Sequence, residues 1–278
     1  MNSKSVLCVI RHVIKEPYIT IQSKGQESTW LTERLPTGFE VIHFHGKPAG
    51  KILSIFDRIH EKIRLNHGYI IKFIGYVEDI LLYPLLRYIP KTSRSNLVTS
   101  NYPVLLVNFP DIYLTIRWKF FAIFDHFVRN THHDFLFITT TNAYIIPLNL
   151  MKYLETIPKS GVYTGAYTWP NSFFISGANI ILSRDVVEKL LESMKYFRAS
   201  VIDDVELSNV LKQLGISHFG KPLISISSNL ELQSISQKII DENFHFRMKT
   251  VGHREVNEVE LMKQMHERVK NLSENHDE

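Results

Sequence analysis

The run Phe174–Gly215 constrains the fold of this chain more than any other part of its sequence. It reads FISGANIILSRDVVEKLLESMKYFRASVIDDVELSNVLKQLG. The small pair Ser176–Gly177 leads into a β-rich apolar stretch, Ala178–Leu182, which Ser183 closes as a helix N-cap with Asp185 in the first turn. Val187, Leu190, Leu191, Met194 and Phe197 then recur at helical spacing, so one face of this segment belongs to a core. A second helix opens at Asp203–Asp204, where Asp203 and Glu206 have capping-box spacing. Leu207, Val210, Leu211 and Leu214 form its apolar stripe, and Gly215 stops it. A buried strand feeding two amphipathic helices requires an α/β layer structure, and the 44% apolar content supplies the core.

The order of these signals (Ser-Gly, strand, Ser-Arg-Asp, helix, acidic pair with Val, helix, Leu-Gly) resembles the second half of the catalytic domain of fringe and β-1,3-galactosyltransferase-like glycosyltransferases. That resemblance implies a GT-A-type fold, a single α/β domain over 1–278 with a mainly parallel twisted sheet flanked by helices. It also implies transfer of a sugar from a nucleotide-sugar donor, a UDP-sugar in the family, to a glycan or glycolipid hydroxyl with inversion. Family members carry Glu-Asp or Asp-Asp at the position of Asp203–Asp204, and the second acid is the base. Asp204 is therefore the expected catalytic base, with Asp203 orienting it or the acceptor.

The amino-terminal half resembles the family more weakly. Ser5–Val13 reads as a buried first strand, and ligands of nucleotide-binding sheets lie beyond the carboxyl ends of such strands, which puts Arg11 and His12 in reach of a donor. Thr29–Trp30 is similar to the Thr-Trp that ends the first helix of the family, and Phe39–Phe44 with His45–Gly46 is similar to its second strand. Residues 47–103 read as a helical insertion: Leu53–Arg64 has a helical pattern, and His67–Pro90 is apolar and aromatic with charges at its edges. Capping of the core, a homodimer face and peripheral contact with a membrane all stay open for it.

Resemblance returns at Asp111–Lys119 (DIYLTIRWK), followed by a periodic helix bearing Ile116, Phe120, Ile123, Phe124 and Phe127. Adjacent His132 and His133 read as a solvated helix end. Asp134–Ile146 (DFLFITTTNAYII) then runs a core strand into a polar turn where the family holds the Asp-x-Asp motif. Here Thr140, Thr141 and Asn142 replace the three acids, and no carboxylate remains. Hydroxyls and an amide are poor ligands for a hard divalent ion. The expectation is a transferase without metal, its diphosphate held by His245, Arg247 and Lys249 from the basic run Phe244–Lys249, with Arg254 following. His245 matches the family's carboxy-terminal metal-site histidine, and a manganese site displaced to Asp134 or Asp111 with His245 is the alternative.

In Gly161–Asn171 (GVYTGAYTWPN) the aromatic residues Tyr163, Tyr167 and Trp169 suit stacking on sugar faces. The family places its acceptor region here, which implies acceptor contacts for Tyr167, Trp169, Ser176 and Gly177. His218–Ile226 reads as a last strand region, and 255–278 as a charged carboxy-terminal helix fraying after Leu272. A net charge of +4 mixed with acids gives no basic face for nucleic acid. The one cysteine, Cys8, forms no intrachain disulfide, and no apolar run reaches the ~18 residues of a membrane span. Family members in animals typically carry a membrane anchor; this sequence reads as cytoplasmic, with any membrane contact peripheral. The inactive alternative is a carbohydrate- or membrane-associated binding protein.

Overall fold

The structure, a computed structural model, describes residues 3–55, 59, 77, 80, 88–95, 100–112, 115–169, 172–198, 201 and 203–274. Most of the apolar run 67–90 and part of the 53–64 pattern lie outside the described residues; 51–55 are helical, with Ile52 and Ile55 exposed.

The first strand, β1 (Val6–Arg11), is the centre of the molecule. Its side chains alternate between two cores: Val6, Cys8 and Ile10 face one, Leu7 and Val9 the other, and all five are fully buried. A strand covered on both faces reads as one continuous apolar run, which is why it was visible in the sequence. Its neighbours are β2 (Phe39–Lys47) and β5 (Phe135–Thr140), both parallel to it. The edge beyond β2 is built by β3 (Thr92–Arg94) and β4 (Val104–Pro110), and the other by β7 (Tyr163–Tyr167), β8 (Asn179–Ser183) and β9 (Phe219–Pro222). The strand order is β3-β4-β2-β1-β5-β8-β7-β9, with β4, β2, β1 and β5 parallel and β8 antiparallel to β5. A second sheet joins β6 (Ala143–Ile145), β10 (Ser225–Ile226) and β11 (His245–Met248) in the order β10-β11-β6. The expected α/β class with a mainly parallel sheet is what the chain adopts.

Helix α1 (Ile116–Asn130) covers one face with Trp118, Phe120, Phe121, Phe124 and Phe127 buried, and α3 (Arg184–Glu192) packs beside it. Such rings contribute about 2–3 kcal/mol each by leaving water. The other face is covered by α2 (Pro147–Glu155) through Leu150 and Leu154, and by α7 (Arg254–Glu274) through Leu261, Met262 and Met265. Helix α4 (Asp203–Gln213) joins the α1 face through Leu207, Val210 and Leu211, whereas α5 (Asn229–Ser234) and α6 (Gln237–Glu242) join the α7 face through Leu232 and Ile240. Among the described residues no helix is long and apolar enough to cross a membrane.

Four local expectations need correction. Ser183 occupies the N-cap of α3, but its side chain caps no helix N–H; the hydroxyl donates to Asp185 Oδ1 at 2.6 Å and accepts from Val162 N at 2.9 Å, tying β8 to β7. Helix α3 ends at Glu192, and Met194–Tyr196 form a separate 3-10 turn. The capping box at Asp203 is not made, because Glu206 accepts from Arg198 N at 2.7 Å and from Asn209 Nδ2 at 3.0 Å instead. The Thr29–Trp30 segment is likewise a string of π and 3-10 turns, not the end of a regular helix.

Candidate active site

Parallel strands deliver their carboxyl ends to one edge of the sheet, and three of them meet at the site. In register, Arg11 of β1 lies beside Thr140 of β5 and Phe44 of β2. The turn Thr140–Asn142 leaves β5 at this edge, with Thr140 Oγ1 donating to Asn142 Oδ1 at 2.7 Å. It is anchored by Gln26, whose amide donates to Thr140 O and Ala143 O at 3.2 and 3.0 Å, and by Met248 N, which donates to Asn142 O at 2.7 Å. The helical turns before Trp30 thus support the Thr140–Asn142 turn.

These elements enclose a cavity of about 370 Å³ lined by Arg11, His12, Val13, Tyr18, Ile116, Lys119, Thr140, Thr141, Asn142, Arg247, Lys249 and Arg254. Five of these residues are cations and none is a carboxylate. Three of the cations are already matched. Arg11 Nη1 donates to Asp203 Oδ2 at 2.9 Å, Lys119 Nζ lies 2.6 Å from Asp111 Oδ1, and Arg254 Nε donates to the fully buried Glu258 at 2.6 Å. The side chains of Arg247 and Lys249 have no hydrogen-bond or ion-pair partner among the described residues. Burial, and then the neighbouring Arg254, lower the proton affinity of Arg247. This cavity has the size of a small-molecule pocket and a cationic end.

The acid pair stands beside it, joined through Arg11. Asp203 and Asp204 do not line the cavity themselves. Asp203 takes Arg11, while Asp204 Oδ2 accepts from Gly177 N at 2.9 Å and its Oδ1 from Val205 N at 2.9 Å. Arg11 Nη2 donates to Gly177 O at 2.7 Å. Position 177 is tight: a Cβ there would lie 3.0 Å from Arg11 Nη2, which would have to shift by a few tenths of an ångström, and 3.4 Å from Asp204 Oδ2. The proton affinity of Asp204 is raised, first by burial and then by Asp203, against the opposing pull of the Gly177 N–H, Arg11 and the Val205 N–H. Tyr163 holds the two halves together: its hydroxyl accepts from Ile175 N at 3.1 Å and bonds Ser208 of α4.

Of the sequence-predicted donor residues, Arg11, His12, Thr140, Thr141, Asn142, Arg247 and Lys249 come together in the cavity. His245 does not. It is buried beneath the turn, with Nε2 3.3 Å from Thr139 Oγ1, and lines a separate small cleft with Asn179 and Gly165. Burial pushes its pKa down to about 3, so it is a neutral imidazole and no phosphate-binding cation. Tyr167 is half-buried at the end of β7, and Ser176 is buried with its N–H on Ala166 O at 2.7 Å. Trp169 is 56% exposed and edge-on to Phe174 at 6.0 Å, which meets the exposed Phe173 at 5.3 Å. The loop from this aromatic ledge leads directly to Gly177. Sequence reasoning missed Phe173 and Phe174 as part of the ledge, and Tyr18, Lys119 and Arg254 as cavity residues.

It also missed a cluster of three histidines packed edge to face. His12 lies 5.1 Å from His45 and 5.9 Å from His43, ring to ring, and all three are buried. Burial and mutual repulsion keep the pKa of His12 low and bring that of His43 to about 4. Glu27 Oε1 approaches His43 Nε2 at 3.4 Å but accepts from Gln22 at 2.9 Å, and the contact makes no hydrogen bond that would hold an imidazolium.

Manganese, which the GT-A resemblance implies, was tested against these residues. The turn offers two hydroxyls and an amide, facing cations, and that donor set does not fit a hard divalent ion. Among the described residues no group of three or more His, Cys, Asp or Glu is placed to hold a metal, and Asp111, proposed as a displaced ligand, is engaged with Lys119 and the Gly46 N–H. Asp134 is likewise engaged with Ser5 N and Lys159.

No family model and no curated protein sequence matches the chain. Solved structures that it resembles in fold include the mannosyltransferase PcManGT from Pyrobaculum calidifontis, determined with GDP-Man and Mn2+ (13% identity, TM-score 0.40, 80% of this chain and 55% of that one). Others are the glycosyltransferase GlyE of Streptococcus pneumoniae (10%, TM-score 0.43, 94% and 60%) and residues 1–349 of TarS from S. aureus (13%, TM-score 0.39, 88% and 60%). The chain spans 55 to 60% of the length of these three structures.

Proposed function

We propose that this chain is an inverting glycosyltransferase that moves a sugar from a nucleotide-diphosphate sugar, a UDP-sugar by the sequence resemblance, to a glycan hydroxyl without a metal ion. The observation that carries the reading is the union, through Arg11, of a carboxylate of raised proton affinity with a cation-lined cavity devoid of carboxylates. In this mechanism Asp204 takes the proton of the acceptor hydroxyl as its oxygen bonds to the anomeric carbon. The bond from that carbon to the diphosphate breaks on the opposite side, and the charge that develops on the leaving oxygen meets Arg247, Lys249 and Arg254. A carboxylate whose proton affinity is raised toward working pH is a better base than an ordinary one. Trp169, Phe173 and Phe174 offer apolar ring faces to the acceptor beside Gly177.

The test is transfer from a panel of nucleotide sugars in EDTA and in manganese, with Asp204→Asn alongside. Transfer in EDTA equal to that in manganese, abolished by Asp204→Asn with nucleotide-diphosphate binding intact, is the expected result. Activity that requires manganese removes the metal-free reading, and undiminished turnover in the variant removes Asp204 as the base.

A further inference from the structure

Arg11 occupies the wall between the cavity and the acid pair, and its two bonded donors are both spent on the acid-pair side. Nη1 is spent on Asp203 at 2.9 Å and Nη2 on Gly177 O at 2.7 Å. The guanidinium lies over the Phe120 ring, 4.3 Å from its centroid, which fixes its plane. Nε is buried with no hydrogen-bond partner among the described residues, while the side chain lines the cavity. On the far side, Gly177 gives its N–H to Asp204. One glycine is therefore gripped by the arginine at its carbonyl and by the base at its amide, and a Cβ there would press on Arg11 Nη2 at 3.0 Å.

We propose that Arg11 is a positioning residue that couples the donor cavity to Asp204, so that the proton acceptor is readied when diphosphate arrives. The inference rests on the reading of this cavity as a diphosphate site. With the cavity empty, the single charge of Arg11 compensates Asp203 and favours an ionised Asp204. A diphosphate competes for that charge and leaves two adjacent carboxylates less compensated, and such a pair holds a proton more strongly. The base is thus weak until a donor is present. The other groups within electrostatic reach are Tyr163 of β7, whose phenol is pushed up to about 12 and stays neutral, Arg247 of β11, and Lys119 of α1 acting through Asp203. Of these only Arg247 both lines the cavity and reaches Asp204, so the test must separate it from Arg11.

The Asp204 carboxyl carbon can be titrated by NMR with and without inorganic pyrophosphate, in the wild type and in Arg11→Lys, Arg11→Gln, Asp203→Asn and Arg247→Gln proteins. Pyrophosphate is expected to raise the wild-type midpoint by about one unit. Arg11→Gln should start from a raised midpoint and respond by about half that or less, because the charge being competed for is gone. Arg11→Lys should restore the response, and Arg247→Gln should show it in full once enough pyrophosphate is added to saturate the site. An Arg11→Gln response equal to wild type overturns the coupling. If Arg11→Gln does not fold, Asp203→Asn decides: the coupling requires a lowered midpoint and a lost response, and an undiminished response overturns it. A wild-type protein that binds no pyrophosphate sinks the donor-site reading; one that binds it with an unmoved midpoint sinks only the coupling.

Discussion

Replacing Arg247 by Gln tests whether this site binds diphosphate by protein cations alone. Gln keeps most of the volume and removes only the charge of a half-buried side chain that has no partner to strand. A cation and an anion about 4 Å apart attract by ~4 kcal/mol at an effective dielectric near 20, but solvent opposes this, and hydrogen bonds to charged groups are worth about 1.5–3 kcal/mol net. A loss of ~2 kcal/mol corresponds to about thirtyfold in affinity. Lys249 is exposed, so its removal should cost under ~1 kcal/mol, about fivefold at most. The assay is calorimetric titration of UDP and of pyrophosphate in EDTA at low and high salt, with thermal melts to confirm folding. Wild type should bind both, more weakly at high salt, and the order of loss should be Arg247 before Lys249. Equal binding by Arg247→Gln, or wild-type binding that appears only with manganese, refutes the reasoning.

Gly177→Ala places a methyl 3.0 Å from Arg11 Nη2 and should lower transfer by about tenfold or more by displacing Asp204, while pyrophosphate binding holds; unchanged transfer would show that this peptide does not align the base. The buried histidines predict acid lability. Folding lowers the pKa of His43 from 6.5 to about 4, so between those values the unfolded chain binds a proton that the native one refuses, and stability present above 6.5 is lost as pH falls. His43 alone should account for about 2 kcal/mol by pH 5. Urea melts from pH 7 to pH 5 should show this slope flattened in His43→Gln, and an equal slope in both proteins contradicts it.

What the sequence disclosed depended on whether the signal was local. Strand β1, the turn at Thr140–Asn142 and the acid pair at the start of α4 are each written in contiguous residues, as an apolar run, a polar break or a helix opening. The bond between Arg11 and Asp203 spans 192 positions and leaves no local trace. Alternation along β11 correctly separates His245 and Arg247 from Phe246 and Met248, which enter the core. It gives facing but not depth: His245 pairs with Ile145 and is buried against Thr139, whereas Arg247 pairs with Ala143, next to the Thr140–Asn142 turn, and reaches the cavity. The missing capping box has a similar cause, since Glu206 meets a stronger demand at the Arg198 amide than at its own helix start.

The neutral turn Thr140–Asn142 is intelligible once the charges around it are paired off. Arg11, Lys119 and Arg254 each face a carboxylate and add no net charge to the cavity, which leaves Arg247 and Lys249. A turn bearing acids would have drawn those two into ion pairs and left nothing for an anionic ligand without a metal ion to reverse the sign. A neutral turn keeps both cations available; within it Thr140 Oγ1 donates to Asn142 Oδ1, and the backbone carbonyl of Asn142 accepts from the Met248 amide. In the proposed diphosphate cradle the neutral turn and the β11 cations therefore act together.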